Sequence, residues 1–188
     1  MRENISAPSK NEVCNPNLLD NWYFLNPVNQ RGQTSYTNGY GIDRWCQRRT
    51  ISTVSLSDSG VTITDLNNYE AGFIFDQDLP LKKQLVGKQV TVSLLVSEVS
   101  GNVAVQCGGG AMWITSVGLH SFTVDSYDNS DNLVYLLRLF NAEASSSITL
   151  IAAKVELGDT QTLAHQDFNG NWVLNEVPKY SEELLKCH

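Results

Sequence analysis

Apolar and polar residues alternate along most of the chain beyond residue 14, in short runs separated by Gly, Asn, Asp and Ser. Alternation with a period of two is typical of β-strands that bury one face. The strands predicted in this way cover residues 50–56, 61–64, 71–75, 86–96, 103–107, 120–124, 133–140 and 148–157. Many short strands with turn signals between them predict an all-β fold, either a sandwich or a barrel.

Turn signals between the strands add three local predictions. Residues 58–60 (Asp-Ser-Gly) predict a hairpin between the first two strands. The glycines at positions 108–110 predict a bulge or a tight connection, because no phosphate-loop pattern follows them. Near the C-terminus, residues 181–186 predict at most a short helical turn, with Ser181 as its N-cap and acidic residues in its first turn.

Length and composition limit the organisation and the partners. A chain of 188 residues with 41% hydrophobic residues can form one domain with a substantial core. We expect that domain at residues 15–188, after a polar segment at residues 1–14 that acts as a flexible leader or an attachment region. The net charge of -7 argues against a nucleic-acid partner, because neutralising phosphates requires clustered Lys and Arg residues.

No stretch of the sequence has the features of a signal peptide or of a membrane span. Residues 1–6 contain no apolar core, and no segment approaches the roughly 20 apolar residues that cross a bilayer. We therefore expect synthesis and folding in a cytoplasm, without membrane insertion. Later release by lysis, as for virion components, is compatible with this expectation.

The cysteines and acidic residues predict no cofactor. The cysteines stand far apart, at Cys14, Cys46, Cys107 and Cys187. That spacing does not suit zinc, and folding in a cytoplasm predicts reduced thiols. The densest run of oxygen ligands offers a weak calcium candidate formed by Asp125, Asp128 and Asp131. The run lacks the Gly and the distal Glu of an EF-hand loop, so a solvated loop is favoured over a structural Ca²⁺.

Catalytic patterns are also lacking in the sequence. The three histidines are far apart, and no nucleophile or metalloprotease motif occurs. A glycosidase needs two carboxylates across one cleft, and the acidic residues beside aromatics or strand ends are Asp20, Asp43 and Glu156. We predict structural roles for these three carboxylates and expect that the protein is not an enzyme.

Five segments taken together resemble one known kind of domain. They read NLLDNWYF at 17–24, PVNQRG at 27–32, IDRW at 42–45, KVELGD at 154–159 and YSEELLKC at 180–187. The combination resembles a domain found near the C-termini of phage and prophage tail-fibre proteins, over roughly residues 15–187. The general plan also resembles the jelly-roll β-sandwiches of carbohydrate-binding modules, of the galactose-binding type.

The resemblance implies a jelly roll in which residues 17–24 and 148–157 share one core, because a jelly roll brings its terminal strands together. It implies a virion protein whose domain binds a receptor or a cell-surface glycan during host attachment. The alternative is a structural virion protein without its own ligand, such as a capsid decoration, a head fibre or a fibre-attachment subunit. Both interpretations imply a homo-oligomer, expected as a homotrimer, in contact with other virion proteins.

Tail-fibre domains of this kind usually follow a long fibrous region, whereas only residues 1–14 precede the domain in this sequence. The chain is therefore expected to be either a fragment of a longer fibre or a stand-alone virion subunit. Gene neighbours in a tail operon would favour the receptor-binding interpretation. Gene neighbours that encode capsid proteins would favour the structural one.

Aromatic residues indicate where a glycan would bind, since sugars stack their apolar faces on exposed rings. Trp22, Tyr23 and Phe24 are consecutive, and alternation requires at least one ring to point away from the core or into another subunit. We place Trp45 in the core and Trp113 at a loop tip.

The predicted glycan site lies in and beside the Gly- and Asn-rich segment 32–41, where exposed side chains are common. A ring on such a loop can lie flat against a sugar, while its neighbours supply hydrogen-bond donors and acceptors. The candidate residues are Tyr36, Tyr40, Asn38, Arg31 and Gln30. The competing interpretation is that the two tyrosines pack against the edge of the sandwich.

Overall fold

Antiparallel β-strands form most of the chain in a computed structural model, which describes residues 14–47, 52–66, 75–77, 82–127, 137–141 and 146–188. Two short helices accompany the strands in these ranges: α1 (Lys82–Leu85) and α2 (Tyr180–Lys186). The strands are β1 (Ser35–Tyr36), β2 (Thr53–Ser57), β3 (Gly60–Leu66), β4 (Phe75–Gln77), β5 (Val90–Ser100), β6 (Val103–Cys107), β7 (Gly110–Ile114), β8 (Gly118–Val124), β9 (Leu137–Asn141), β10 (Ser146–Leu157), β11 (Ala164–Gln166) and β12 (Trp172–Leu174). The all-β prediction is confirmed.

Two sheets carry the fold. The first contains six strands in the order β1-β2-β3-β10-β5-β8, and the second contains four in the order β4-β9-β6-β7. Strands β11 and β12 pair with each other as a separate hairpin. Buried residues from both sheets, such as Val92 and Val155 in the first and Val105 and Leu139 in the second, belong to one apolar cluster. This arrangement is sandwich-like, while the jelly-roll topology stays a prediction.

The N-terminal segment lies beside the longest strand and supplies part of the core. Leu18 N donates to Val155 O at 2.8 Å, and Phe24 N donates to Ile151 O at 2.8 Å. Residues 17–24 therefore run along the later part of β10, where β3 no longer pairs with that strand. Within the described residues, their only β-pairing with β10 is one isolated bridge. The prediction that the segments 17–24 and 148–157 share one core is confirmed.

The aromatic residues of the N-terminal region meet a ring from the second sheet. The Trp45 ring stacks on Phe75, with centroids 4.8 Å apart and an interplanar angle of 9°, and the Phe24 ring meets Trp45 edge-on at 5.2 Å. Trp45 is completely buried, as predicted. Of the three consecutive aromatics, Trp22 and Phe24 are buried. Tyr23 between them is half-buried, so it is the residue that alternation turns toward the surface.

The two glycine-containing turns form hairpins. Ser57 pairs with Gly60, which leaves a two-residue turn between β2 and β3, so the predicted hairpin is confirmed. Gly108 and Gly109 have φ values of +47° and +92° and connect β6 to β7, which confirms a tight connection. Two consecutive positive φ angles suit the turns of antiparallel hairpins and favour glycine.

Strand β7 was missed by the sequence pattern, and this overturns one prediction. Trp113 lies within β7, which is an edge strand of the four-stranded sheet, and not at a loop tip. Its side chain is half-exposed because it lies on the outer face of the strand, between the more buried Met112 and Ile114. Residues on both faces of β7 are apolar, so the sequence shows no alternation although burial along the strand alternates.

The helices differ from the prediction in two ways. Helix α2 begins at Tyr180 with Lys179 as its N-cap, so Ser181 lies inside the helix and its predicted role as N-cap is wrong. Backbone hydrogen bonds set the start of the helix, because Lys179 O accepts from Glu182 N and Glu183 N. Helix α1 was not predicted, and the strand expected at 86–96 lies four residues further along, at Val90–Ser100.

A glycine explains where α1 ends. Gly87 follows the helix with a φ of +74°, and its N–H donates to Tyr127 O at 2.9 Å. A glycine in the left-handed region is the usual end of a helix. Residues 1–13 of the predicted leader and residues 50–51, 71–74 and 133–136 of the predicted strands lie outside the described residues.

Replacing Trp45 with Ala should lower the free energy of unfolding by about 3–5 kcal/mol, because the cavity would remove contacts with Phe24 and Phe75. The half-exposed Trp113 is a matched control, and Trp113→Ala should cost no more than about 1.5 kcal/mol. Urea unfolding followed by circular dichroism measures both values. Equal losses in the two variants would contradict the assignment of Trp45 as the central ring of the core.

Candidate functional site

Tyr36, one of the two predicted stacking rings, belongs to the core. Strand β1 pairs Tyr36 with Val54, which turns Ser35 outward and the Tyr36 ring inward. Only 7% of Tyr36 is exposed, and its hydroxyl oxygen accepts from Ile42 N at 3.4 Å. Burial raises the pKa of this hydroxyl above its usual range. The expectation that Tyr36 is exposed on a loop is wrong, and the competing interpretation of an edge-packed tyrosine is correct for it.

A close approach between Tyr36 and Gly41 fixes this packing. A Cβ atom added at Gly41 would come within 2.1 Å of the Tyr36 ring, so no larger residue fits there without movement. The segment 37–41 therefore folds around the ring that it was expected to display. A glycine in this place serves close packing, whereas the sequence alone suggested a loop with exposed side chains.

Tyr40 and Asn38 lie on the outside of the same segment. Tyr40 is 45% exposed, and Asn38 is also exposed. Reciprocal backbone hydrogen bonds of 2.6 and 2.7 Å join Gly39 to Gln47 and close the loop. The Gln47 side chain is buried and donates to Ser52 O, so the closing pair is itself anchored. The loop is thus held at its base while its outer side chains face solvent.

Gln30 and Arg31 lie on a second loop, which is tied to Asp43. Arg31 Nη1 donates to Asp43 Oδ1 at 2.7 Å, and Gln30 N donates to Asp43 Oδ2 at 3.1 Å. The Arg31 side chain is 53% exposed, whereas that of Asp43 is 6% exposed. Asp43 therefore holds the loop with a buried carboxylate, and part of the Arg31 guanidinium stays open to solvent.

Asp43 links the two loops. Tyr40 and Asp43 are three positions apart in sequence, so their Cα atoms can be at most about 11 Å apart. Because Asp43 binds the loop of Arg31 and Gln30, that loop is linked to the segment that carries Tyr40 and Asn38. Tyr36 is the one predicted residue that the fold removes from this group. We call these four residues the loop surface.

Beneath the loop surface lies a buried amide that the sequence analysis missed. Asn21 Nδ2 donates to Val28 O at 2.9 Å and to Asp43 O at 2.8 Å, while Asn21 Oδ1 accepts from Val28 N at 2.7 Å. Trp45 Nε1 donates to the backbone oxygen of Asn21 at 3.0 Å. All the hydrogen-bonding capacity of this side chain except one lone pair is used inside the protein. We call this arrangement the amide clamp.

The backbone of Asn21 connects the clamp to the C-terminal helix. Its φ of +52° is in the left-handed region, which Asn tolerates better than most residues. Its N–H donates to Glu183 Oε2 at 2.6 Å, and Lys186 Nζ donates to Glu183 Oε1 at 2.6 Å. Glu183 is 4% exposed. The one sequence signal for this role was the polar pair Asp20-Asn21 between apolar and aromatic residues, and periodicity does not interpret such a pair.

The three carboxylates that were candidate catalytic acids have structural contacts. Asp43 binds the Arg31 loop, and Asp20 Oδ2 accepts from Arg44 Nε at 3.1 Å. Burial raises the pKa of Asp20, and the charge of Arg44 opposes that rise. Glu156 is fully buried, with Oε1 accepting from Thr162 N at 2.7 Å. These contacts agree with the structural roles predicted for them.

Most of the calcium candidate lies outside the described residues. Asp125 is exposed and accepts a hydrogen bond from Gln89 Nε2 at 3.2 Å, while Asp128 and Asp131 lie outside the described residues. Within the described ranges, no group of three or more His, Cys, Asp or Glu residues could hold a metal ion. In the same ranges neither helix is long and apolar enough to cross a lipid bilayer.

The amide clamp generates a stability prediction. Asn21→Ala should lower the free energy of unfolding by about 3–5 kcal/mol, because three buried hydrogen bonds are lost and Ala disfavours a positive φ. Asn21→Gly removes the same bonds but accepts the backbone conformation, so it should lose about 1 kcal/mol less. Chemical denaturation measures both variants, with the exposed Asn38→Ala as the control near zero. An Asn21→Ala protein as stable as this control would disprove the clamp.

Comparison with known proteins leaves the function to be argued from the geometry of the chain itself. The comparison covered models of protein families, curated proteins and solved structures. No family model, curated protein or solved structure matches this chain.

Proposed function

We propose that this chain is a tail-fibre-type virion domain that binds a host cell-surface glycan through the loop surface. The observation that carries the proposal is the exposed Tyr40 ring on a loop closed by the Gly39–Gln47 hydrogen bonds. The five segments that resemble tail-fibre domains support the virion assignment, and the sandwich-like fold is compatible with it. The proposal includes no catalytic activity.

The loop surface has the chemistry that a neutral sugar requires. Tyr40 offers an aromatic face for the C–H side of a sugar ring. Asn38 can donate and accept hydrogen bonds, and the solvent-facing N–H groups of Arg31 can donate to hydroxyl oxygens. Asp43 neutralises much of the Arg31 charge, which suits an uncharged ligand better than a polyanion. The four residues thus combine one stacking ring with polar groups of both kinds.

Preorganisation favours binding at this place. Gly39 is fixed by Gln47, and the Arg31 loop is fixed by Asp43, so the backbones of both loops are held before a ligand arrives. Little loop entropy is then lost on binding. A single shallow site of this kind should bind with a millimolar to micromolar Kd, about 4–8 kcal/mol. A homotrimer would carry three copies, and avidity would raise the effective affinity.

The decisive experiment replaces Tyr40 with Ala and measures binding to an array of bacterial surface glycans and adsorption to host cells. We expect at least a ten-fold loss of binding at an unchanged Tm, because the ring is half-exposed. Trp113→Ala is the matched control, since Trp113 is 50% exposed but lies in β7. That control should bind like the unmodified protein.

Two outcomes would contradict the proposed site. A Tyr40→Ala protein with full binding would exclude the loop surface as the ligand site, whatever its stability. A lower Tm with unchanged adsorption would show that Tyr40 packs against the edge of the sandwich, as Tyr36 does. Tyr36→Ala is unsuitable as a test because that ring is buried, and unfolding would obscure any effect on binding.

A structural virion subunit is the second candidate, and one feature favours it. Many of the exposed large apolar side chains in the described part of the chain fall after β10, in the β11–β12 hairpin and the residues that follow it. They are Phe168, Trp172, Val173, Val177, Tyr180 and Leu185. Apolar side chains concentrated in one stretch are typical of surfaces that assemble with other subunits.

The second candidate predicts that Phe168, 96% exposed in the turn between β11 and β12, lies in a subunit contact. Phe168→Ser should then shift the native mass from a trimer toward a monomer without lowering the Tm. Val86→Ser is the control, because Val86 is also exposed but follows α1. Native mass spectrometry measures both. An unchanged assembly in the Phe168 variant would remove the hairpin from the contact.

A further inference from the structure

A buried amine contacts a half-buried thiol on the outer side of the central strand. Lys154 Nζ lies 3.2 Å from Cys14 Sγ and 2.8 Å from Thr162 Oγ1. The Lys154 side chain is completely buried, whereas Cys14 retains contact with solvent. The Sγ–Nζ distance is that of two atoms in contact, so a covalent bond between them needs a small movement of one flexible side chain.

Two carboxylates stand ready to receive the lysine proton. Glu156 Oε2 is 3.7 Å from Lys154 Nζ, and the Glu156 side chain is also fully buried. Glu176 Oε1 is 3.6 Å from the same nitrogen, and its side chain is 45% exposed. A lysine must be neutral to act as a nucleophile, and a nearby carboxylate can hold the proton that it releases. The cluster therefore joins an oxidisable sulfur, an amine and a proton acceptor.

We propose that Cys14 and Lys154 form an oxidative cross-link, a sulfenamide bond between Sγ and Nζ, when the folded protein meets a peroxide. This inference is independent of glycan binding. The bond would tie the segment at residue 14 to β10 across a sequence separation of 140 residues. In a virion domain, this cross-link would anchor the segment at residue 14 to the body of the domain.

The reaction balances with hydrogen peroxide as the oxidant. The thiol sulfur of Cys14 attacks one peroxide oxygen, the O–O bond breaks, and a sulfenic acid and water form. The neutral Lys154 amine then attacks the sulfur, the N–S bond forms, and the S–O bond breaks. The departing hydroxide takes a proton and leaves as a second molecule of water. Sulfur loses two electrons, the peroxide gains them, and the ammonium proton passes to Glu156 or Glu176.

The other cysteines are poorer targets. Burial raises the pKa of the Cys107 thiol to about 12, and that of Cys187 to about 11 with help from nearby acids. The thiolate is the form that reacts with peroxide, so both react slowly near neutral pH. Cys46 is buried. Cys187 is useful for comparison, because it is half-buried like Cys14, but within the described residues no lysine amine forms a hydrogen bond with its sulfur.

The test treats the full folded chain with hydrogen peroxide, denatures it without reductant, and digests it with trypsin for mass spectrometry. We expect one joined peptide that contains Cys14 and Lys154, lighter than its two components by two hydrogen atoms, with no cleavage after Lys154. Dithiothreitol should separate the two parts. The oxidised protein should melt roughly 5 °C or more above the reduced one, because the link closes a long loop.

Matched variants decide whether the link is specific. Cys14→Ser should abolish both the joined peptide and the rise in Tm, whereas Cys187→Ser should leave both unchanged. Lys154→Arg keeps the positive charge but removes the nucleophilic amine, so it should give oxidised Cys14 without a link. The proposal fails if the unmodified protein yields Cys14 sulfinic acid, a disulfide of Cys14, or an intact cleavage site after Lys154.

Discussion

The buried side-chain amide of Asn21 is the interaction on which the rest of the structure depends. It satisfies backbone groups of Val28 and Asp43, and its own backbone binds Trp45 and Glu183. Three separate parts of the chain, around residues 28, 43–45 and 183, therefore meet at Asn21. Unpaired buried polar groups are costly, so the loss of this amide would leave several of them without partners at once. The loop surface exists because this clamp fixes the backbone beneath it.

A second polar cluster is buried at the outer side of β10, and its character is different. Lys154 and Glu156 are ionisable groups without solvent contact, and Thr162 and Cys14 complete their hydrogen bonds. Buried charges contribute little net stability, but removing one partner is costly. Such a cluster determines that the segments of Cys14 and Thr162, which supply its hydrogen bonds, lie over β10. It also places reactive groups side by side, and this allows chemistry that a purely apolar contact would not.

The segments that resemble tail-fibre domains contribute mainly to these buried contacts. Asn17 Nδ2 donates to Ala153 O at 2.8 Å, so even the first segment uses a side chain to bind β10. Asn21, Asp43, Lys154 and Glu183 belong to four of these segments as well. The resemblance covers the scaffold and, through the segment 27–32, also the Gln30 and Arg31 part of the loop surface. Asn38 and Tyr40 lie outside the five segments.

The sequence by itself determined the strands whose alternation is strong, because a period of two follows from the geometry of a strand alone. Strands β5, β6, β8 and β10 and the β2–β3 hairpin were predictable in this way, and so was the burial of Trp45. Tertiary structure decided the direction of Tyr36, because pairing with β2 and the approach of Gly41 are not local. A contact that is also not local links four of the five predicted site residues, because Asp43 ties the Arg31 loop to the Tyr40 loop. The clamp at Asn21 was unpredictable, because its partners lie up to 162 positions away in sequence and one polar residue leaves no periodic signal.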